Sequence, residues 1–170
     1  MDNAKSYKEL MHDITTFIFD VDGVLTNGDI QISEKGELLR TMNVKDGFGL
    51  KTAIKKGFKI CIISAGTNTG VKSRLEGLGV QAVYLNAQNK IDIYNDFIKS
   101  EELNPNEIVY VGDDIMDIDV MKKVGLACCP QDAVPEVKVI SHYISHKNGG
   151  KGCVREIIEQ VLKVQNKWTF

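Results

Sequence analysis

Short runs of apolar residues alternate along this chain with stretches in which apolar positions recur every three or four residues. The runs are Thr16-Phe17-Ile18-Phe19, Phe58-Lys59-Ile60-Cys61-Ile62-Ile63, Ala82-Val83-Tyr84 and Ile108-Val109-Tyr110-Val111. Their β-branched and aromatic content and short length predict strands. Between them, Leu50, Ala53 and Ile54 fall on one helical face, as do Val71, Leu75 and Leu78. Ile91, Tyr94 and Ile98 make a third face, and Ile115, Ile118, Met121 and Val124 a fourth. The clearest is the last, where Val154, Ile157, Ile158, Val161 and Leu162 stand at i, i+3, i+4, i+7 and i+8. Gly57, Gly79 and Gly125 follow predicted helices at the position where a left-handed residue closes a helix. Strands that are apolar on both sides must be covered on both faces. The pattern therefore predicts an α/β fold, a parallel sheet between two helical layers.

Segment 28–43 breaks this rhythm. Gly28 to Ser33 and Glu37 to Asn43 read as two strands around Glu34-Lys35-Gly36, a hairpin projecting from the sheet. Exposed Ile30, Ile32, Leu38 and Met42 on such a hairpin give a physical reason for self-association. In an open parallel sheet, ligands bind beyond the carboxyl ends of the strands. That rule selects Asp20-Val21-Asp22-Gly23, Ser64-Ala65-Gly66, the loop before Lys90, and Gly112-Asp113-Asp114.

Composition narrows the picture. At 170 residues the chain fits a single domain over 1–170, with a glycine-rich tail and helix at about 148–164. A net charge of −2 and the lack of a Lys/Arg-rich run give no reason to expect nucleic acid or a membrane surface as partner. The polar segment 1–13 does not read as a secretion signal. The apolar runs fall well short of the roughly 20 residues a membrane helix needs. Cys61, Cys128, Cys129 and Cys153 form no CxxC pair and are expected to be reduced packing residues, which points to the cytoplasm.

The selected strand ends share one chemistry. Asp20 and Asp22 follow one apolar strand, and Asp113, Asp114 and Asp117 follow another. Carboxylates buried together repel and shift upward in pKa unless a cation joins them. Oxygen ligands favour Mg²⁺, which keeps room in its shell for water and a phosphate. An ionised Asp20 beside such a cation can attack phosphorus, and Asp22, off the cation, can act as acid and base. Ser64 and Lys90 supply a hydroxyl and a fixed positive charge for the transferring phosphoryl group. Taken singly, each residue has an ordinary explanation as a helix cap, a turn or a solvated lysine. Their joint occurrence in this order supports a phosphatase site.

Phe19-Asp20-Val21-Asp22-Gly23-Val24-Leu25-Thr26 resembles the first motif of the haloacid dehalogenase superfamily. Ser64, Lys90 and Gly112-Asp113-Asp114-Ile115-Met116-Asp117 resemble its second, third and fourth. The resemblance runs from about Ile14 to Leu162. It implies a Rossmann-like fold, Mg²⁺ dependence, an aspartyl-phosphate intermediate on Asp20, and Asp22 as acid/base. It also implies metal ligation by Asp20, Asp113 and the main-chain carbonyl of Asp22. Asn43-Val44-Lys45-Asp46-Gly47-Phe48-Gly49, Gln88-Asn89-Lys90 and Gly149-Gly150-Lys151-Gly152-Cys153-Val154-Arg155-Glu156 are similar to segments of the 3-deoxy-D-manno-octulosonate 8-phosphate phosphatases. Those enzymes lack a cap domain and form homotetramers, with hairpins at the subunit interface and a tail that reaches toward a neighbour's active site.

The likeness implies a phosphorylated keto-sugar acid as substrate and a step toward lipopolysaccharide. Lys45, Asp46, Arg74 and Lys151 are then candidates for substrate binding. The chain departs from the pattern in three places. It carries Ser64-Ala65-Gly66 where many relatives have Thr-Gly-Arg, lysines at 45 and 151 where arginine is frequent, and Asn27 where aspartate is frequent. A nine-carbon keto-sugar acid 9-phosphate is an alternative substrate. A receiver-like signalling domain is an alternative from another class, although its phosphoacceptor belongs at the strand end occupied here by Ser64.

Overall fold

A computed structural model describes residues 5–170. Met1 to Ala4 of the polar N-terminal stretch lie outside the described residues. The expected parallel sheet is present. Its strands are β1 (Thr16–Phe19), β4 (Lys59–Ile63), β5 (Ala82–Tyr84), β6 (Ile108–Val111), β7 (Leu126–Cys129) and β8 (Tyr143–Ile144). They run in the order β5-β4-β1-β6-β7-β8, every neighbouring pair parallel. Successive strand residues point to opposite faces, which splits the core in two. Phe17, Phe19, Ile60, Ile62, Val109 and Val111 pack on one side. Ile18, Cys61, Ile63, Ile108 and Tyr110 pack on the other.

The first side is covered by α1 (Tyr7–Met11), α2 (Val44–Lys55), α3 (Thr69–Gly77) and α7 (Cys153–Val164), the second by α4 (Lys90–Ser100), α5 (Ile118–Met121) and α6 (Pro135–Ile140). Gly57 and Gly79 have positive φ, as their helix-closing role requires, but Gly125 does not. Gly125 instead lies where any side chain would run into the Asn106 carbonyl. Strands β7 and β8 and helices α1 and α6 went unpredicted. Leu126-Ala127-Cys128-Cys129 has little β-branched character, and its strand state comes from pairing with β6. The four cysteines are free and buried.

The hairpin is shorter than 28–43. Only β2 (Gln31–Ile32) and β3 (Leu38–Leu39) pair. At one end Asn27 folds an Asx turn onto the Asp29 N–H at 3.1 Å. At the other, Asn43 caps α2 through the Lys45 N–H at 2.8 Å. Both ends of the segment are thus claimed by local turns.

Helix α7 starts after Gly152, which has a φ of 102° and no side chain to cap with. Asp46, in the first turn of α2, takes that role across the helix pair. Its Oδ1 accepts the Arg155 N–H at 2.8 Å. Gly49 lets the helices meet closely, since a Cβ there would lie 3.1 Å from the Arg155 Cα. The Arg155 guanidinium then sits over the Phe48 and Trp168 rings, 4.9 and 4.8 Å from their centroids. Asp46→Ala is expected to lower unfolding free energy by about 1–2 kcal/mol, and Asp46→Asn, which keeps an acceptor, by less. Equal losses in urea denaturation would show that the carboxylate does not act as a cap.

Candidate active site

Strand β1 delivers Asp20 to the carboxyl edge of the sheet. The Asp20 N–H continues the ladder to the Val111 carbonyl at 3.0 Å, so the direction of its side chain is set by the sheet. The chain then turns sharply. The N–H groups of Val24, Leu25 and Thr26 all converge on the Val21 carbonyl, at 3.2, 2.9 and 3.0 Å. Gly23 completes the turn at a φ of 90°, and a Cβ there would stand 1.9 Å from an Asp113 carboxylate oxygen. Only glycine permits both the turn and the approach of Asp113.

Strand β6 carries Asp113 into the site, and Asp117 turns inward beneath it. Fully buried, Asp117 accepts from the N–H groups of Asp113 (3.0 Å) and Asp114 (3.3 Å), the Tyr110 hydroxyl (2.6 Å) and Lys90 Nζ (2.7 Å). This inward turn explains one departure from expectation. Residues 115–117 form a 3₁₀ turn before the single-turn α5, so Ile115 faces outward rather than onto a helix core. Lys90 opens α4 and is also buried; its Nζ lies 3.0 Å from Asp20 Oδ2. Ser64 follows β4, and its hydroxyl accepts the Gly66 N–H at 3.2 Å. Asp20, Asp22, Ser64, Lys90, Asp113 and Asp117 line one cleft of about 160 Å³.

Oxygens of Asp20, Asp113 and Asp117 all lie within 4.8 Å of one another. Burial, followed by the charge of Asp117, pushes the Asp20 carboxyl up to about 7, against the opposing pull of Lys90. Burial and then Asp20 push Asp113 up to about 8. Burial works against the Lys90 charge, but Asp20 and Asp117 together outweigh it and raise its pKa. Asp113 Oδ1 is buried with no hydrogen-bond partner among the described residues. An orphaned oxygen on one of three clustered carboxylates fits a hard cation held by oxygen ligands.

The Asp22 carboxylate stands outside this cluster. Arg40, on the hairpin, donates from Nε to its Oδ1 at 2.7 Å and from Nη2 to its Oδ2 at 3.0 Å. Sequence reasoning assigned no role to Arg40 or Asp117. Arg40 carries no local signal, being one more cation in a polar hairpin. Asp117 was visible within its motif, but its inward turn is a tertiary feature.

The substrate-binding candidates are not gathered at the cleft. Asp46 is buried against the start of α7, where its Oδ1 caps that helix. Lys45 is exposed on the first turn of α2. Arg74 borders a separate depression with Leu39, Arg40, Met42 and Asn68. Lys151 borders another, with Asn27, Asp29, Gln31 and Thr41. The tail itself packs on the first-motif turn of its own chain: the Gly150 N–H donates to the Val24 carbonyl at 2.9 Å.

A family model described as haloacid dehalogenase-like hydrolase matches residues 48–130. The chain is 36% identical over 154 residues to the 3-deoxy-D-manno-octulosonate 8-phosphate phosphatase KdsC of Salmonella typhi, covering 91% of this chain and 82% of that one. The crystal structure of the corresponding phosphatase from Yersinia pestis superposes with a TM-score of 0.93 at 32% identity, covering 95% of this chain and 87% of that one. The Moraxella catarrhalis phosphatase, solved with magnesium, phosphate and KDO, superposes with a TM-score of 0.91 at 28% identity over 94% of this chain and 92% of that one. Similarity of this extent, over a cleft that holds all four motifs, places the chain in the haloacid dehalogenase superfamily, as a phosphoric monoester hydrolase of the 3-deoxy-D-manno-octulosonate 8-phosphate phosphatase family.

Proposed function

We propose that this enzyme hydrolyses 3-deoxy-D-manno-octulosonate 8-phosphate to the free sugar acid and phosphate, with Asp20 as nucleophile and Mg²⁺ as cofactor. The observation that carries this reading is the setting of Asp20. Its carboxylate lies 3.0 Å from Lys90 Nζ and within 4.8 Å of oxygens of Asp113 and Asp117, in a chain 36% identical to a relative named for this activity. Asp20 and Asp113 would hold the cation, with the main-chain carbonyl of Asp22, and Asp117 stands close enough to contribute. When bound, Mg²⁺ supplies the positive charge that keeps these carboxylates ionised and offsets the charge of the phosphoryl oxygens.

The residues then divide the work. An Asp20 oxygen attacks phosphorus, and an Asp20–phosphorus bond forms as the ester P–O bond breaks. Asp22 gives a proton to the departing alkoxide. Water next attacks the same phosphorus; Asp22 takes its proton, and Asp20 leaves as a carboxylate. Lys90 and Ser64 stabilise the phosphoryl oxygens through both transfers. Lys90 reaches Asp20 while anchored to buried Asp117, so its charge is fixed before substrate arrives. Lys45, Arg74 and Lys151, all exposed, are the cations proposed to meet the rest of the substrate. Exposed Ile30, Ile32, Leu38 and Leu39 on the hairpin offer a surface for self-association, and a cytoplasmic homotetramer is proposed from the resemblance to the family.

Cation dependence has a signed consequence for stability. Asp20 and Asp113 bind protons more tightly in the folded chain, at about 7 and about 8, than at their ordinary value of 3.8. The cation-free native state therefore holds more protons than the unfolded state, and its stability falls as pH rises from about 4 to about 8. In chelator, the melting temperature is expected to drop across that window. Added Mg²⁺ should restore it most at the alkaline end, and equal restoration at every pH would contradict the cluster as cation site.

Phosphate release from a panel of sugar phosphates, with and without chelator, tests the substrate. The eight-carbon acid is expected to give the highest kcat/KM, chelator to abolish turnover, and Asp20→Asn to reduce it by at least about a thousandfold with the fold intact. Similar rates for eight- and nine-carbon acids would end the narrow assignment.

A further inference from the structure

Arg40 and Asp22 form a two-pronged ion pair that closes the hairpin onto the cleft wall. Both Asp22 oxygens are engaged, and the Arg40 side chain is only 6% exposed against 31% for Asp22. The planar fork of a guanidinium matches a carboxylate and fixes its plane as well as its position. The hairpin is itself tethered. Arg40 Nη1 donates to the Leu38 carbonyl at 3.1 Å, and the side chain of Asn68, which caps α3, donates to the same carbonyl at 2.8 Å.

The two Asp22 oxygens are not equivalent. Oδ1 accepts from Arg40 Nε and, at 3.4 Å, from the Thr26 hydroxyl. Oδ2 accepts from Arg40 Nη2 alone among the described residues. A carboxylate oxygen offers two acceptor sites, so Oδ2 retains one for a proton. Gly66 keeps the ground beside it clear. A Cβ at that position would come 3.3 Å from Asp22 Oδ2 and 3.5 Å from Arg40 Nη2, and a longer side chain would compete for the space the pair occupies.

We propose that Arg40 is the positioning residue for Asp22. It holds the carboxylate on the hairpin side of the cleft, apart from the Asp20–Asp113–Asp117 cluster, with Oδ2 free to serve the leaving-group oxygen. The acid/base and the hairpin are then held in place by the same ion pair. This inference rests on the reading of Asp22 as acid and base given above.

Leaving-group dependence tests it. An alkyl alkoxide needs a proton to depart, whereas p-nitrophenolate departs without one. Since kcat/KM reports steps up to the first irreversible one, it isolates ester cleavage. Arg40→Ala is expected to lower kcat/KM for the best alkyl sugar phosphate at least about tenfold, and for p-nitrophenyl phosphate less than about threefold. Arg40→Lys, which keeps the charge but not the fork, should fall between wild type and Arg40→Ala on the alkyl ester. It also decides the matter if Arg40→Ala does not fold, as judged by its melting curve. Equal losses on both esters, or none on either, would overturn the positioning role while leaving the proposed hydrolysis standing. A wild-type enzyme that cleaves no phosphate ester would remove both.

Discussion

Repulsion among Asp20, Asp113 and Asp117 is the constraint around which this site is built. Oxygens from three carboxylates share a space under 4.8 Å across, in a part of the molecule from which water is largely excluded. Low dielectric magnifies every charge there. Lys90 contributes one positive charge, and four donors converge on Asp117. Burial first, and the neighbouring carboxylates after it, still push Asp20 and Asp113 upward, and one buried oxygen of Asp113 has no hydrogen-bond partner among the described residues.

The fold maintains this arrangement without support from the substrate. Asp20 and Asp113 lie just beyond β1 and β6, adjacent strands in parallel register, so the sheet brings the carboxylates together. Gly23 removes the one Cβ that would keep them apart. On the outer side, the tail glycines pack against the same turn, where a Cβ on Gly149 would lie 1.8 Å from the Gly23 carbonyl. The turn carrying the proposed nucleophile and acid/base is thus clamped between β6 on one side and the chain's own tail on the other. Asp22 is held by Arg40 of the hairpin rather than by the sheet, and it is the one whose proposed task requires contact with the varying part of the substrate.

What the sequence revealed follows from where information is local. Asp20, Asp22, Ser64, Lys90 and Asp113 were legible because each stands next to an apolar run or at the start of a periodic one, and topology does the rest. Arg40 was not legible, since its partner lies 18 positions away and nothing in the hairpin's pattern points to it. The capping role of Asp46 was not legible, because Gly152 leaves α7 without a side-chain cap and Asp46 fills the need across the interface, a tertiary contact. β7 was missed because its small, weakly β-forming residues become a strand only through their neighbours. The hairpin was overextended because alternation continued past the point where Asn27 and Asn43 divert the backbone.

If a doubly charged cation relieves this cluster, its arrival must displace protons from the carboxyls that hold them. Calorimetric titration with Mg²⁺ near pH 7, repeated in buffers of differing ionisation enthalpy, counts those protons directly. With Asp20 at about 7 and Asp113 at about 8, the account predicts release of about one proton per cation bound. Binding with no proton release, or no binding at all, would contradict it.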